Sequence, residues 1–387
     1  MRTSPSMLTW FRVPSVLWTG CGAVQRVGAE AKRLGARRAV VVCDAGVAQA
    51  GLAARVQGLL EEAGLQVALY AEAQPEPTTE SADRCAAFVQ AGGFDLVVGL
   101  GGGSAMDTAK LAAAMAVHGG RCQDYIGTDR IPGRGLPTIL IPTTAGTGAE
   151  ATPNAVFKEV PSGTKSVVIS PHIVPDVGLV DPELTLTLPP ALTASTGMDA
   201  LSHAIEAYTS RRATPHADLF ALEAIRLIGG NLRQAVAHGD DLEARSAMAL
   251  ASLYAGIAIA HAGTNGVHAV AYPLSGHFGL PHGLANGMVL AAVVAFNAPA
   301  APARFAQVAR ALGVQEGDEE ARARAAGEAV ARLARDIGIP QRLRDLGIPE
   351  EALRPMSEEA AAIRRLMDVN PREMKQPDVE AIYRSIY

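Results

Sequence analysis

The sequence predicts an α/β N-terminal domain built on a parallel sheet, followed by an all-α C-terminal domain. Three observations carry this. Short apolar runs alternate with Ala/Leu-rich amphipathic stretches through the first half; one run passes directly into the glycines of GGGSAMDTAK; and a Pro-rich link, VPDVGLVDPELTLTLPP, gives way to long Ala-rich helical patterns. Short buried strands separated by helical stretches are what βαβ units require. With 387 residues the chain is too long for one ordinary core, and two domains are expected, 1–187 and 188–387, divided near Leu188.

In order along the chain, Arg38 to Asp44 (RAVVVCD) reads as a buried strand and VAQAGLAARVQGLLEEAG as its crossover helix. Val67 to Tyr70 is the next strand, with a helix through Cys85 to Gln90; Phe94 to Leu100 (FDLVVGL) is the third strand and Thr138 to Pro142 the fourth. Lys158 and Lys165 flank a hairpin turn, PSG, where a solvated charge is expected of Lys158. Beyond the link, a helix through Asp199 carries an apolar stripe at Met198, Leu201, Ile205 and Tyr208, with a polar stripe at Asp199, His203 and Glu206 beside it. From Ala301 to Tyr387 the pattern is Arg/Glu/Ala-rich scaffold helix.

Hydrophobic residues make up 49% and charged ones 19%, a balance that suits a globular enzyme. The net charge of -5 brings no basic stripe, which argues against a nucleic-acid partner. Cys21, Cys43, Cys85 and Cys122 are scattered without a CxxC, so reduced, buried thiols are expected rather than a disulfide scaffold or a thiolate zinc site. Arg12 and Pro14 interrupt the apolar N-terminal stretch, and no run approaches the roughly eighteen apolar residues a span needs. The expectation is a cytoplasmic chain without a membrane partner.

Two loops and one set of side chains carry the chemistry. Gly101, Gly102 and Gly103 leave the backbone bare where Ser104 opens a helix, and unpaired N–H groups there suit a pyrophosphate. Ser104 and Asp107, counted with the glycines among the candidate cofactor-binding residues, also have the spacing of a capping box. A second small-residue loop, TTAGTGAEATPNAVF, holds Thr143, Thr144 and Thr147; in an open parallel sheet both loops emerge at the carboxyl ends of the strands, where ligands bind. Asp44, ending an earlier strand, is placed either to accept from a ribose hydroxyl or to act as a plain turn acid.

Asp199 and His203 stand four apart, on one helical face, as a divalent ion or a solvated salt bridge would have them. His268 and His282 would lie about 21 Å apart on one straight helix at 1.5 Å per residue, too far to share an ion. Pro273, Gly276, Pro281 and Gly283 argue against such a helix and favour a returning loop, with Tyr272 and His277 nearby and His261 as a satisfied helix residue.

On these motifs, together with FRVPSVLWTGCGA, IPTTAGTGAE, DPELTLTLPPALTASTGMDALSHAIEAYTS and the closing PHG, the chain resembles the iron-containing, group III alcohol dehydrogenases over nearly its whole length. The resemblance implies a Rossmann-like dinucleotide-binding domain, a helical domain and a metal ion in the cleft between them. Its ligands would be Asp199, His203, His268 and His282. Gly101 to Gly103 with Ser104 would hold the pyrophosphate, Thr143, Thr144 and Thr147 would line the cofactor, and Asp44 would favour NAD over NADP. Asn154 falls where some relatives put a polar pocket residue. Many relatives have a further histidine four residues after the third ligand; here that position is Tyr272, so Tyr272 and His277 are the candidates for carrying protons.

The activity so implied is hydride transfer between NAD(H) and a small primary alcohol or aldehyde, with Fe2+ as the family's namesake ion and Zn2+ also suited to the donors. Relatives commonly self-associate, so a homodimer is expected. A cyclase of the dehydroquinate-synthase type, and a non-catalytic metal- or nucleotide-binding protein, are the alternatives; net NADH production separates both from a dehydrogenase.

Overall fold

The computed structural model describes residues 8–160 and 165–387. They form two compact units, Val13–Thr187 and Leu188–Tyr387, the latter joined by residues 8–12. The sequence places that short arm in the first domain, but its aromatic side chains bind the helices instead. Phe11 stacks on Phe220 and His261, with centroids 5.9 and 4.9 Å away, and the Arg12 N–H donates to His261 Nε2 at 2.9 Å. His261 Nδ1 in turn lies 2.7 Å from the Ile257 carbonyl.

Among its described residues the unit Val13–Thr187 contains nine strands: β1 (Val16–Thr19), β2 (Arg38–Val42), β3 (Gln66–Tyr70), β4 (Leu96–Gly101), β5 (Gly127–Thr128), β6 (Thr138–Pro142), β7 (Asn154–Lys158), β8 (Lys165–Ile169) and β9 (Val177–Val180). Six of them make one fully parallel sheet in the order β1-β9-β6-β4-β2-β3. β4 and β6 are buried end to end, as strands covered on both faces must be, and their Val/Ile/Leu runs show it. Helices α1 (Val27–Arg33), α2 (Leu52–Glu62), α3 (Thr79–Gly92) and α4 (Gly103–His118) make the crossovers. β9 lies within the segment read from sequence as a link: VGLV is a buried strand paired with β1 and β6.

β5, β8 and β7 form a second, three-stranded sheet. The predicted PSG turn at 161–163 lies outside the described residues, while β7 and β8 on either side pair antiparallel with Lys158 opposite Lys165. The Lys165 side chain is nearly buried and pairs with Glu76 at 2.7 Å. Cys43, Cys85 and Cys122 are buried as expected, and burial raises their thiols to about 11, 12 and 12. Cys21 is exposed, because it falls in the tight turn between Gly20 and Gly22 that ends β1.

The helical unit comprises α5 (Pro190–Thr209), α6 (Pro215–Ala237), α7 (Leu242–Ala262), α8 (Gly266–Phe278), α9 (His282–Asn297), α10 (Pro302–Ala311), α11 (Glu319–Asp336), α12 (Leu353–Ala362) and α13 (Gln376–Ser385), with short turns between. α5 packs against α6, α7 and α9, and from Gly197 to Thr209 it is buried on every side, its polar stripe included. Two glycines allow this closeness. A Cβ on Gly283 would stand 2.4 Å from the Ser195 carbonyl oxygen, and one on Gly197 would stand 2.3 Å from Leu232 Cδ1. Two segments, Leu242–Ala262 and His282–Ala300, are long and apolar enough to cross a membrane by length and composition, contrary to the sequence reading; most of each is buried within the unit, as core helices are.

Candidate metal centre

The polar stripe of α5 supplies the first two groups. Asp199 and His203 lie one turn apart, 3 and 5% exposed, so the solvated salt bridge that the spacing also allows does not exist here. His268 comes from the first turn of α8, and His282 is the first residue of α9. The chain reverses between them at Gly279, whose φ of 66° suits glycine, and at Pro281. The break thus comes later than expected: Pro273 and Gly276 sit inside α8, which continues past them.

The result is a convergent donor set. Asp199 Oδ1 lies 3.8 Å from His203 Nε2, 4.0 Å from His268 Nε2 and 3.8 Å from His282 Nε2, and the two imidazoles of His203 and His268 approach to 3.1 Å. Two ligands each about 2.1 Å from a shared ion stand roughly 3.0–4.2 Å apart for angles from 90° to 180°, and all four separations fall in that range. Asp199, His268 and His282 form the compact core of the set, with ligand atoms within 4.8 Å of one another; His203 adjoins it through Asp199 and His268. A carboxylate and imidazoles suit a divalent iron or zinc ion. Burial disfavours charge on Asp199, but His203, His282, His268 and the Asn286 amide overcome it and hold its carboxyl down to about 2. The His282 side chain, 26% exposed, marks the open side of the cluster.

Sequence reasoning missed two residues of this centre. Asn286, one turn after His282 on α9 and fully buried, donates from Nδ2 to Asp199 Oδ1 at 2.7 Å and lies 3.2 and 3.3 Å from His268 Nε2 and His282 Nε2. Glu206, read only as part of a stripe, is bonded through Oε2 to His268 Nδ1. The i, i+4 spacing of His282 and Asn286 was the available signal. Of the proton-carrying candidates, Tyr272 borders the cluster, its ring 6.3 Å from that of His268 and 6.0 Å from that of His282. His277 is not brought in: it is a half-exposed residue of the last turn of α8, with Nε2 2.6 Å from Glu359.

In the other unit, the parallel order changes direction between β2 and β4, the switch point where open sheets bind ligands. Gly101, with φ of 144°, ends β4; Gly102 caps α4 without a side-chain bond, and no acid occupies the first turn. The second loop lies against it: the Thr143 N–H donates to the Gly101 carbonyl at 3.0 Å, a Cβ on Gly102 would lie 3.6 Å from Thr144, and one on Gly103 would meet Thr147 at 2.7 Å. Asp44 stands beside this turn, its Oδ2 3.5 Å from a Cβ built on Gly101, while its Oδ1 caps the short helix Ala45–Gln49 through the Val47 N–H.

The predicted capping box is absent, because the helix starts at Gly103 and leaves Ser104 inside its first turn. Asp107 is buried instead, pairing with Lys110 at 3.0 Å and accepting from the Val156 N–H at 3.0 Å. That geometry makes it an internal brace rather than a cofactor contact. Lys110 Nζ also donates to the carbonyls of Ala149, Thr152 and Asn154, fastening the second loop to α4; Asn154 contributes that carbonyl and opens β7.

A bare glycine turn at the switch point of a parallel sheet, and a buried carboxylate–imidazole set in a helical unit, together define a metal- and nucleotide-dependent enzyme. Family models agree along the chain: iron-containing alcohol dehydrogenase matches residues 14–182, and the C-terminal model of the Fe-containing alcohol dehydrogenase family matches residues 193–387. The chain is 42% identical over 380 residues to long-chain-alcohol dehydrogenase 1 of Geobacillus thermodenitrificans, covering 97% of this chain and 95% of that one. It is 40% identical over 355 residues to the NAD-dependent methanol dehydrogenase of Bacillus methanolicus, covering 91 and 93%. Among solved structures, that of a 1,3-propanediol oxidoreductase superposes with a TM-score of 0.95 at 38% identity, covering 98% of this chain and 100% of the other. The chain belongs to the iron-containing alcohol dehydrogenase family.

Proposed function

We propose that this chain transfers hydride reversibly between NAD(H) and a primary alcohol or its aldehyde at a divalent metal ion held by Asp199, His203, His268 and His282. The observation that supports this reading is the convergence of Asp199, His268 and His282 within 4.8 Å of one another, with His203 beside Asp199 and His268. A bound ion supplies Lewis acidity to the alcohol or carbonyl oxygen, and NAD(H) accepts or delivers the hydride.

The chain's own residues set the conditions. Three neutral imidazoles and one carboxylate carry a single negative charge, which leaves a divalent ion net cationic and able to favour an alkoxide over an alcohol. Asn286 holds Asp199 Oδ1 in place, so the carboxylate keeps one orientation. Tyr272 is the proton-carrying group in this reading, with its phenol raised by burial against the opposing effect of Arg365, so that the oxygen keeps its proton at neutral pH. In the other unit, Gly101 to Gly103 and Ser104 receive the pyrophosphate on the α4 N-terminus, Thr143, Thr144 and Thr147 line the cofactor, and Asp44 accepts from the ribose hydroxyl and so selects NAD. Gly103 to Ala105, the first three positions of the helix, offer the free N–H groups typical of such a start, ahead of the Met106 N–H that donates to the Gly102 carbonyl.

The relatives named above act on long-chain alcohols, methanol and 1,3-propanediol by their names, and these together set the class to screen. A homodimeric assembly and a cytoplasmic setting, to which the four free cysteines are suited, belong to the same reading. The test is Asp199→Ala. The substitution is expected to remove bound metal and NADH turnover together; a variant that keeps both refutes the assignment. Absence of net NADH formation from any alcohol by the metal-loaded wild type would refute the dehydrogenase reading.

A further inference from the structure

We propose that Glu206 fixes which nitrogen His268 turns toward the ion, a positioning role that rests on the metal-site reading above. Glu206 lies on α5 seven residues after Asp199, two turns along the same face, and is 1% exposed. Its Oε1 accepts from the backbone N–H groups of Asn265 at 2.8 Å, Val267 at 2.8 Å and His268 at 3.3 Å. Its Oε2 is bonded to His268 Nδ1.

A carboxylate can only accept, so the proton of the neutral imidazole resides on Nδ1. Nε2 is then bare, and its lone pair faces Asp199 Oδ1 and His203 Nε2. A second observation gives the same answer from the opposite side of the ring. Asn286 Nδ2 lies 3.2 Å from His268 Nε2, and its identity as the NH2 end is set by the 2.7 Å bond to the Asp199 carboxylate. A donor aimed at Nε2 requires Nε2 to accept. Both neighbours therefore demand the one tautomer that leaves His268 ready to ligate, and partners of this kind hold a ligand in register.

Glu206 is more than a cap for α8. That helix already has one in Asn265, whose Oδ1 accepts from the Gly266 N–H at 2.7 Å. Burying a full carboxylate is costly unless each oxygen is engaged, and here the second oxygen is engaged by the imidazole alone. Glu206→Gln separates the two roles. Three backbone donors keep the amide oxygen on their side, which turns the NH2 toward His268 Nδ1. The ring must then accept at Nδ1 and carry its proton on Nε2, aimed into the donor set. The flipped amide is no escape, because it sets an NH2 against three N–H groups.

The experiment titrates Co2+ into metal-free wild type, Glu206→Gln and Asp199→Ala, following the visible bands of the bound ion, with near-UV circular dichroism as the check on folding. A folded Glu206→Gln is expected to bind Co2+ about 10–100-fold more weakly than wild type. Equal affinity overturns the proposal, since a residue that only caps a helix would change stability and leave the affinity of the folded protein alone. Histidine-selective 15N NMR on metal-free wild type tests the same point without any substitution: the Nδ1–H tautomer at His268 supports it, and the Nε2–H tautomer refutes it. A wild type with no saturable Co2+ site, or an Asp199→Ala that binds as tightly as wild type, overturns the metal-site reading itself and is recognised from those two arms alone.

Discussion

Asp199 and Glu150 are both buried carboxyls, and their surroundings drive them to opposite ends. Imidazoles and an amide hold Asp199 ionised, whereas burial with only Lys110 and a backbone N–H in opposition pushes Glu150 up to about 7. Its Oε2 has no hydrogen-bond partner among the described residues. An acid whose folded value lies above its unfolded 4.5 is neutral when folded and ionised when unfolded between those two values. The native state then binds more protons, so stability is lost as pH rises from 4.5 to about 7 and stays lost above. Glu150→Gln is expected to remove that slope, amounting to about 3 kcal/mol from the roughly 1.4 kcal/mol per pKa unit; parallel urea profiles for the two proteins between pH 5 and 8 would contradict it. At this scale the sequence singled out Asp199, His203, His268 and His282 by residue type, and the structure draws Asp199, His268 and His282 within 4.8 Å of one another. The sequence was silent on Glu206, Asn286 and Lys110, because a polar residue inside a helix pattern reads the same whether its partner is water or a buried imidazole.

Elements were legible wherever periodicity and burial coincide. β2, β3, β4 and β6 end within two residues of their predicted positions, since continuous apolar runs in a covered parallel sheet leave little choice. β1, β5 and β9 were not read, being two to four residues long and flanked by Gly and Pro that also signal turns. α8 shows a different limit: Pro273 removes one N–H donor yet does not end the helix, and the reversal waits for Gly279. What brings α5 and α9 together is the missing side chain of Gly283, between His282 and the carbonyl of Ser195. Gly283→Ala is expected to destabilise by about 1–3 kcal/mol through overpacking, and to loosen metal retention because His282 is its neighbour. Chemical unfolding together with metal content checks both, and an alanine variant that matches wild type in each would show that the helices can part without cost. On the nucleotide side, Gly103→Ala would press on Thr147 at 2.7 Å, and a raised KM for NAD with kcat little changed is the expected reading.

For the molecule as a whole, the glycine turn belongs to the unit Val13–Thr187 and the donor set to the unit Leu188–Tyr387. Removal of metal by a chelator is therefore expected to abolish turnover while NADH binding, followed by its fluorescence, persists; a tenfold loss of NADH affinity would show that the two functions are not separately housed. Metal that binds only the native form also raises the unfolding temperature of the holoprotein over the apoprotein, by an amount that grows with free metal concentration.

The arm at residues 8–12 belongs with helices made long after it. Its partner His261 is 249 residues beyond Arg12, which at roughly 5–20 residues per second is a wait of about 12–50 s. Throughout that interval Phe11 lacks the Phe220 and His261 rings it stacks on in the fold, and Trp10 lacks His261. A bulky fusion ahead of residue 8 is thus expected to slow the docking of this arm.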